Sequence, residues 1–265
     1  MTNEHRDLSW ARREELGFIR RVADWTDTVV SGHRWYRTDF LDLREQSLVQ
    51  AVVRRDGLAV AWFGGGLGAE RQRALLMPDD WKPQATDFEV DVLQVQRLDG
   101  GALSHGAVLG SLLGTGVDRR KTGDIQLSDS VALVAVCKEL TDFLWTQWRQ
   151  IGRHGCSVSL CTSVVFAPQA YEWKQVNVAS FRLDAVLAQV CHYSREQAQT
   201  LIKQGKVKLN FVEWVKPDEL VQMKDIISVR GFGRIFVREV VGTSRKGREW
   251  INVGILLSRL ESSDD

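Results

Sequence analysis

Apolar residues recur along this chain with two periods, and the switches between them outline its elements. Leu16, Ile19 and Val22 fall on one side of a helix over residues 10–30. A second helix runs from Glu45 through Val49 and ends near Val53, and Leu58 to Phe63 is a short apolar strand. The glycine run Gly64–Gly68 follows, and the segment Ala69–Ala74 is expected to open another helix. Phe88 to Leu98 then alternates, with Phe88, Val90, Val92 and Leu93 as its apolar positions. A glycine-rich helix over 103–117 is predicted next, then strands at 123–127 and 131–137, a helix at 138–151 and a strand at 157–165. In the last third, Leu183, Val186, Leu187 and Val190 mark a helix. Ser194 and Gln197 have capping-box spacing, and Ala198, Leu201 and Ile202 form the buried stripe of a second helix. Gly205 stops that helix, and Lys206 and Lys208 then alternate with Val207 and Leu209.

The middle order, strand-helix-strand-strand-helix-strand, predicts a ferredoxin-like sheet of the kind used in RNA-recognition (RRM-like) folds. The fold class is therefore α+β. A mixed amino-terminal α/β domain is expected over 1–84, the central RRM-like domain over 85–175, and two helices with a small sheet over 179–259. The two central strands lack the usual pair of stacking aromatics, which argues against reading of single strands by that sheet. Gly106, Gly110 and Gly114 recur every fourth residue, a pattern that lets a helix approach another surface closely.

Charge sharpens this division. The net charge is only +1, yet residues 179–259 hold 14 lysines and arginines against 8 acids. A basic third on a near-neutral body suits a dedicated nucleic-acid module better than a general polyanion binder. The four cysteines form no C-x-x-C pair, so they are expected to be buried reduced thiols, with no metal and no cofactor. Met1 to Arg21 is too charged for a secretory signal and no apolar run reaches membrane-spanning length, so a cytoplasmic protein without membrane insertion is expected.

The candidate RNA contacts lie in the basic third. Arg195, Gln199 and Lys203 share one stripe of the second helix, Arg182 opens the first, and Lys206 and Lys208 leave the following strand outward. Ser194 joins this set at the helix start. Asp184 is expected to hold Arg182 or a nearby backbone group, since a carboxylate facing phosphate is repulsive. Trp214 and Trp250 could stack on bases. Secondary contacts are assigned to Arg71, Arg73, His105, Arg119, Arg120 and Lys121. The Gly64–Gly68 run lacks the Lys-Ser/Thr of a phosphate-binding loop and reads as a tight turn. After Val240 the chain, with Arg245-Lys246-Gly247-Arg248, is either a terminal strand with a basic hairpin or a free arm.

Residues 181 to about 241 resemble an S4-type RNA-binding domain. The likeness is carried by Arg182-Leu183-Asp184, Ser194-Arg195, Ala198, Leu201-Ile202, Gly205-Lys206-Val207 and Asn210, then by Asp225 and Ile227 to Val229. Lys224 stands where such domains usually have glycine. The body is similar to the YlmH family: Gly64-Gly65, Glu70-Arg71-Gln72-Arg73 and Pro78, then Ser104 to Gly114, Gly116-Val117-Asp118-Arg119 and Gly123-Asp124-Ile125. Ile151-Gly152-Arg153 resembles that family's close of the second central helix. A branch of photosynthetic bacteria and plastids, labelled photosystem II S4 domain protein, is similar in its tryptophan-rich text. The resemblance implies a non-enzymatic, monomeric binder of structured RNA (rRNA or tRNA) on the large ribosomal subunit, acting in translation or ribosome quality control. For the plastid branch it implies a stromal location and a photosystem II assembly or regulatory role through RNA or translation. An RNA-modifying enzyme is the third reading, but Arg182-Leu183-Asp184 is consumed by a helix start. Ser104-His105 suggests nucleophile and base, but adjacent side chains rarely face each other on a helix, and His105 reads as a helix-entry or RNA-contacting residue.

Overall fold

The computed structural model describes residues 11–32, 35–128, 130–161, 171–244 and 247–257. The chain divides into two compact units, Met1–Pro168 and Gln169–Asp265. The first begins with α1 (Leu16–Val30), β1 (Tyr36–Leu41), α2 (Leu43–Arg55), β2 (Ala59–Phe63) and β3 (Gln72–Met77), with the antiparallel strands in the order β1-β3-β2. Ile19 and Val22 of α1 and Leu48, Val49 and Val52 of α2 pack against Ala74 and Leu76. Asp42 starts α2 with a full capping box: its carboxylate accepts from Arg44 N and Glu45 N, both 2.9 Å, and Glu45 Oε2 accepts from Asp42 N at 2.9 Å.

The helix expected at Ala69–Ala74 does not form. Gly64–Gly68 is the turn of a β2–β3 hairpin, with Gly65 and Gly68 at φ 97° and 83°. β3 is the middle strand, and Arg73 to Met77 are all buried. A strand covered on both faces shows no alternation, so its apolar run cannot be told from a helix by periodicity.

The second sheet of this unit contains β4 (Val90–Arg97), α3 (His105–Gly114), β5 (Thr122–Ser128), β6 (Val131–Cys137), α4 (Thr141–Gln147), β7 (Gln150–Ile151) and β8 (His154–Cys161). Its order is β5-β6-β4-β8-β7, antiparallel throughout. Apart from the short hairpin strand β7, this is the ferredoxin-like arrangement, with β4 and β6 central. α4 is shorter than the helix expected over 138–151. Trp148 turns out of helical geometry at ψ 92° and is 1% exposed, and its indole N–H donates to Ser111 Oγ at 3.0 Å. Ile151-Gly152-Arg153 therefore belongs to the β7–β8 hairpin rather than to a helix end. The last strand starts at His154, and its expected end at 162–165 lies outside the described residues. On α3 the glycine stripe meets nothing: Gly106, Gly110 and Gly114 are exposed, and no described atom lies within 4 Å of a Cβ built on any of them. The two sheets of this unit share a small core in which Phe40 of β1 packs with Val92, Ala135 and Cys137.

The second unit contains β9 (Glu172–Val178), α5 (Leu183–Val190), α6 (Arg195–Lys203), β10 (Val207–Leu209), β11 (Val212–Glu213), β12 (Ile226–Val229), β13 (Gly233–Thr243) and β14 (Glu249–Leu257). These strands form a sheet of order β11-β10-β12-β13-β14-β9. Leu183, Leu187, Ala198 and Ile202 of the helices bury against Val207, Leu209, Ile227, Ile235, Ile251 and Val253. The sheet is larger than the small one expected, because β9 precedes the helices in sequence and β13 and β14 form a long hairpin. The chain after Val240 is thus strand, with Arg245 and Lys246 outside the described residues.

Candidate nucleic-acid interface

The start of α5 is built around one carboxylate. Asp184 is fully buried, and its oxygens accept from Arg182 Nε and Nη2 at 3.2 Å, Arg195 Nη2 at 3.0 Å and Gln199 Nε2 at 2.8 Å. Burial pushes this carboxyl up, but the bonds from Arg182 and Gln199 and the charges of Arg195 and Arg182 outweigh it and hold the group below its ordinary value. The side chains of Arg182 and Arg195 remain 41% and 47% exposed. Each is therefore fixed at one edge and open to solvent along the rest, a preorganised pair of planar donors suited to phosphate. The sequence expectation for Asp184 holds, and the carboxylate also orders Arg195 and Gln199 from the second helix.

Ser194 positions that helix. Its hydroxyl accepts from Gln197 N at 3.0 Å while Gln197 Oε1 accepts from Ser194 N at 2.8 Å. Arg195, Gln199 and Lys203 follow on one face, and Gly205, at φ 68°, ends the helix. Lys206 is exposed, and its carbonyl accepts from Arg230 N at 2.9 Å, which brings a second exposed cation beside it. Lys208 does not join this group. Its neighbours Val207 and Leu209 point into the core under the helices, so Lys208 leaves on the opposite face of the sheet. There it lies in one row with Ser228 and Arg234. Arg234 stands 5.6 Å from the Phe211 ring. Sequence reasoning missed Arg230 and Arg234, whose only signal was a place one strand beyond the familiar motif.

Turn chemistry completes the frame. Asn210 and Phe211, at φ 50° and 66°, form the two-residue turn between β10 and β11. Asn210 Nδ2 donates to buried Asp225 at 2.8 Å, and its Oδ1 accepts from Ile226 N at 2.9 Å. Lys224, in the usual glycine position, sits at φ 71° and donates its N–H to Val237 O. Trp214 is buried in the core and cannot stack on a base, whereas Trp250 is 39% exposed on β14.

The secondary contacts assigned to the first unit divide. Arg73 is 4% exposed and donates to the carbonyls of Thr38 at 2.7 Å and Glu89 at 3.0 Å, so it is held inside the fold and does not stand on an open surface. Arg71 donates to Thr122 O and Phe40 O, and Arg119 to Thr122 and Gly123, which ties both to the junction of the two sheets. Lys121 bridges Asp39 and Glu139 at 2.8 Å each, and Arg120, 60% exposed, pairs with Asp118. His105 is exposed at the start of α3, where Ser104 is the cap and accepts from Ala107 N. Cys137, Cys156 and Cys191 are buried free thiols, and Cys161 is half-buried. Among the described residues no helix is long and apolar enough to cross a membrane.

A ferredoxin-like sheet in one unit and an S4 helix pair with its carboxylate-anchored arginines in the other define a class: S4-domain proteins that bind RNA. Two family models agree with this reading, one described as a putative RNA-binding domain in YlmH at residues 83–163 and one as the S4 domain at 181–227. The chain is 35% identical over 240 residues to ribosome-associated protein quality control protein P2 of Bacillus subtilis (strain 168), covering 89% of this chain and 93% of that protein. It belongs to the YlmH family of S4-domain proteins. A solved structure, cell division protein ylmH from Streptococcus pneumoniae, shares the fold at a TM-score of 0.53 and 21% identity, over 61% of this chain and 96% of that one.

Proposed function

We propose that the protein docks on structured RNA of the large ribosomal subunit (rRNA, tRNA or both) and serves ribosome quality control as a non-enzymatic binder. The observation that carries this reading is the buried carboxylate of Asp184, which presents Arg182 and Arg195 half-exposed at a helix–helix junction. Lys203 and Lys206 extend the cationic surface, and the naming of the Bacillus relative supplies the ribosomal setting. Arg195 and Arg182 grip phosphates, Gln199 adds a polar contact, and Lys208 with Arg234 supports a separate contact from the other sheet face.

Fluorescence anisotropy with purified tRNA and rRNA fragments tests the reading. Neutralising about four phosphates gives a log–log salt slope near −3 to −4. Arg195→Ala should weaken binding by about 1.5–3 kcal/mol, the range for a hydrogen bond to a charged group. A slope near zero, or binding unchanged in that variant, overturns the proposal. New modified nucleosides in RNA incubated with the pure protein would overturn its non-enzymatic part.

A further inference from the structure

The first unit has a half-open cleft of about 490 Å³ between α1, β1 and the turn Arg119–Lys121, and RNA docking through the second unit makes no use of it. The volume lies within the span of about 300–1,000 Å³ usual for small-ligand sites. Part of its wall is aromatic. Trp25 stacks on Tyr36 with ring centroids 5.4 Å apart and planes at 17°, and Trp35, 39% exposed, adds a further ring that stacks on Trp81 at 6.2 Å and has the Arg37 guanidinium 5.2 Å from its centroid.

Another part of the wall carries cations. Arg73 is almost wholly buried, and its Nε and Nη1 donate only to backbone carbonyls. Among the described residues no carboxylate pairs with it; Asp39 and Glu139 influence it from farther away, and both are held by Lys121. A buried guanidinium without an acid partner is costly unless something anionic completes it. Arg21 and Arg120 also line the cavity, both exposed, Arg21 over the Phe18 ring and Arg120 paired with Asp118. Two acids line it as well. Asp39 is neutralised by Lys121, and burial, then the neighbouring Asp42, push the Glu45 carboxyl up to about 7, which lessens its charge near neutrality.

We propose that this cavity binds a nucleotide, with the base against Trp25, Tyr36 and Trp35 and the phosphate on Arg73, supported by Arg21 and Arg120. Flat rings beside a guanidinium cluster match the two halves of that ligand, since any base has a π-face and phosphate takes paired N–H donors. The nucleotide is either free or an unpaired residue of an RNA chain, and the chemistry of recognition is the same.

Isothermal titration of the full chain with AMP, GMP, CMP and UMP, each against ribose 5-phosphate and inorganic phosphate, tests this. At least one mononucleotide should bind saturably and more tightly than ribose 5-phosphate. Trp35→Ala and Arg21→Glu should each weaken it by about tenfold or more, a loss large enough to read directly. Arg21 is exposed, so Arg21→Glu should keep the wild-type melting temperature, whereas Trp35→Ala gives up the stack on Trp81; both variants should keep wild-type affinity for base-paired RNA. That separates this site from the α5–α6 surface. A short single-stranded oligonucleotide that competes with the mononucleotide identifies an RNA residue as the occupant, and one that does not compete identifies the free nucleotide. No saturable binding up to about 10 mM, far weaker than a built site gives, overturns the proposal. So does ribose 5-phosphate binding as tightly as the mononucleotides, or full binding in both variants.

Discussion

Asp184 shows how much one side chain can organise. Its folded carboxyl lies below the unfolded value, so the stability it contributes is complete above the unfolded value and is lost as pH falls through the folded one. Asp184→Asn should remove that acid-side loss in thermal melts at stepped pH. It should also lower stability at neutral pH by about 1–3 kcal/mol, because the charged partners of a buried group are disrupted. RNA affinity should fall in the same variant, since Arg182 and Arg195 lose their anchor. Lys224 gives the opposite case. An L-residue in the left-handed region costs about 1–2 kcal/mol, and Lys224 holds φ 71° with an exposed side chain. Lys224→Gly should therefore raise the urea midpoint without changing RNA binding.

At the scale of elements, caps and stripes carry testable weight. The Asp42–Glu45 box is buried enough that the Glu45 carboxyl is pushed up to about 7, by burial first and by Asp42 second. A raised value means folding takes up a proton, so this group favours the fold at lower pH and the benefit fades as pH rises through about 7. Glu45→Gln should flatten stability between roughly pH 5 and 8, the reverse of the limb set by Asp184. On α3, Gly106→Ala and Gly110→Ala should each stabilise by about 0.5–1 kcal/mol, because no described atom stands in the way of the methyl group. Chemical denaturation of the two variants decides it, and a loss of stability would show that the stripe is packed after all.

The same elements explain what sequence alone can reveal. α1, α2, α5 and α6 were legible because each buries an apolar stripe, and α6 also has recognisable ends in Ser194 and Gly205. β3 was not, since burial on both faces erased its alternation. The overrun of α4 came from Trp148, whose apolar character fits a helix stripe equally well but which serves to turn the chain. Spacing put Arg195 and Gln199 on one stripe of α6 and Arg182 at the start of α5, but their convergence on one carboxylate needed the angle between two helices. The burial of Arg73 was not legible, because a charged residue in a polar-looking segment gives no sign that it faces carbonyls inside.

At the scale of the molecule, the described core of the second unit runs from Val178 to Ile255. A fragment of residues 169–265 should give a cooperative melt and keep most of the salt slope of the full chain; a non-cooperative fragment would show that its stability is borrowed.

The first unit behaves differently for a reason visible at Gly123. A Cβ added there would come within 2.6 Å of the Phe40 ring and 2.8 Å of Ala135. The absent methyl leaves the space into which β1 inserts its phenyl group, so the amino-terminal sheet and the ferredoxin-like sheet interlock like tongue and groove. Evolution cannot shuffle one without the other, and chimaeras that splice between them should fail even when each half is taken intact from a relative.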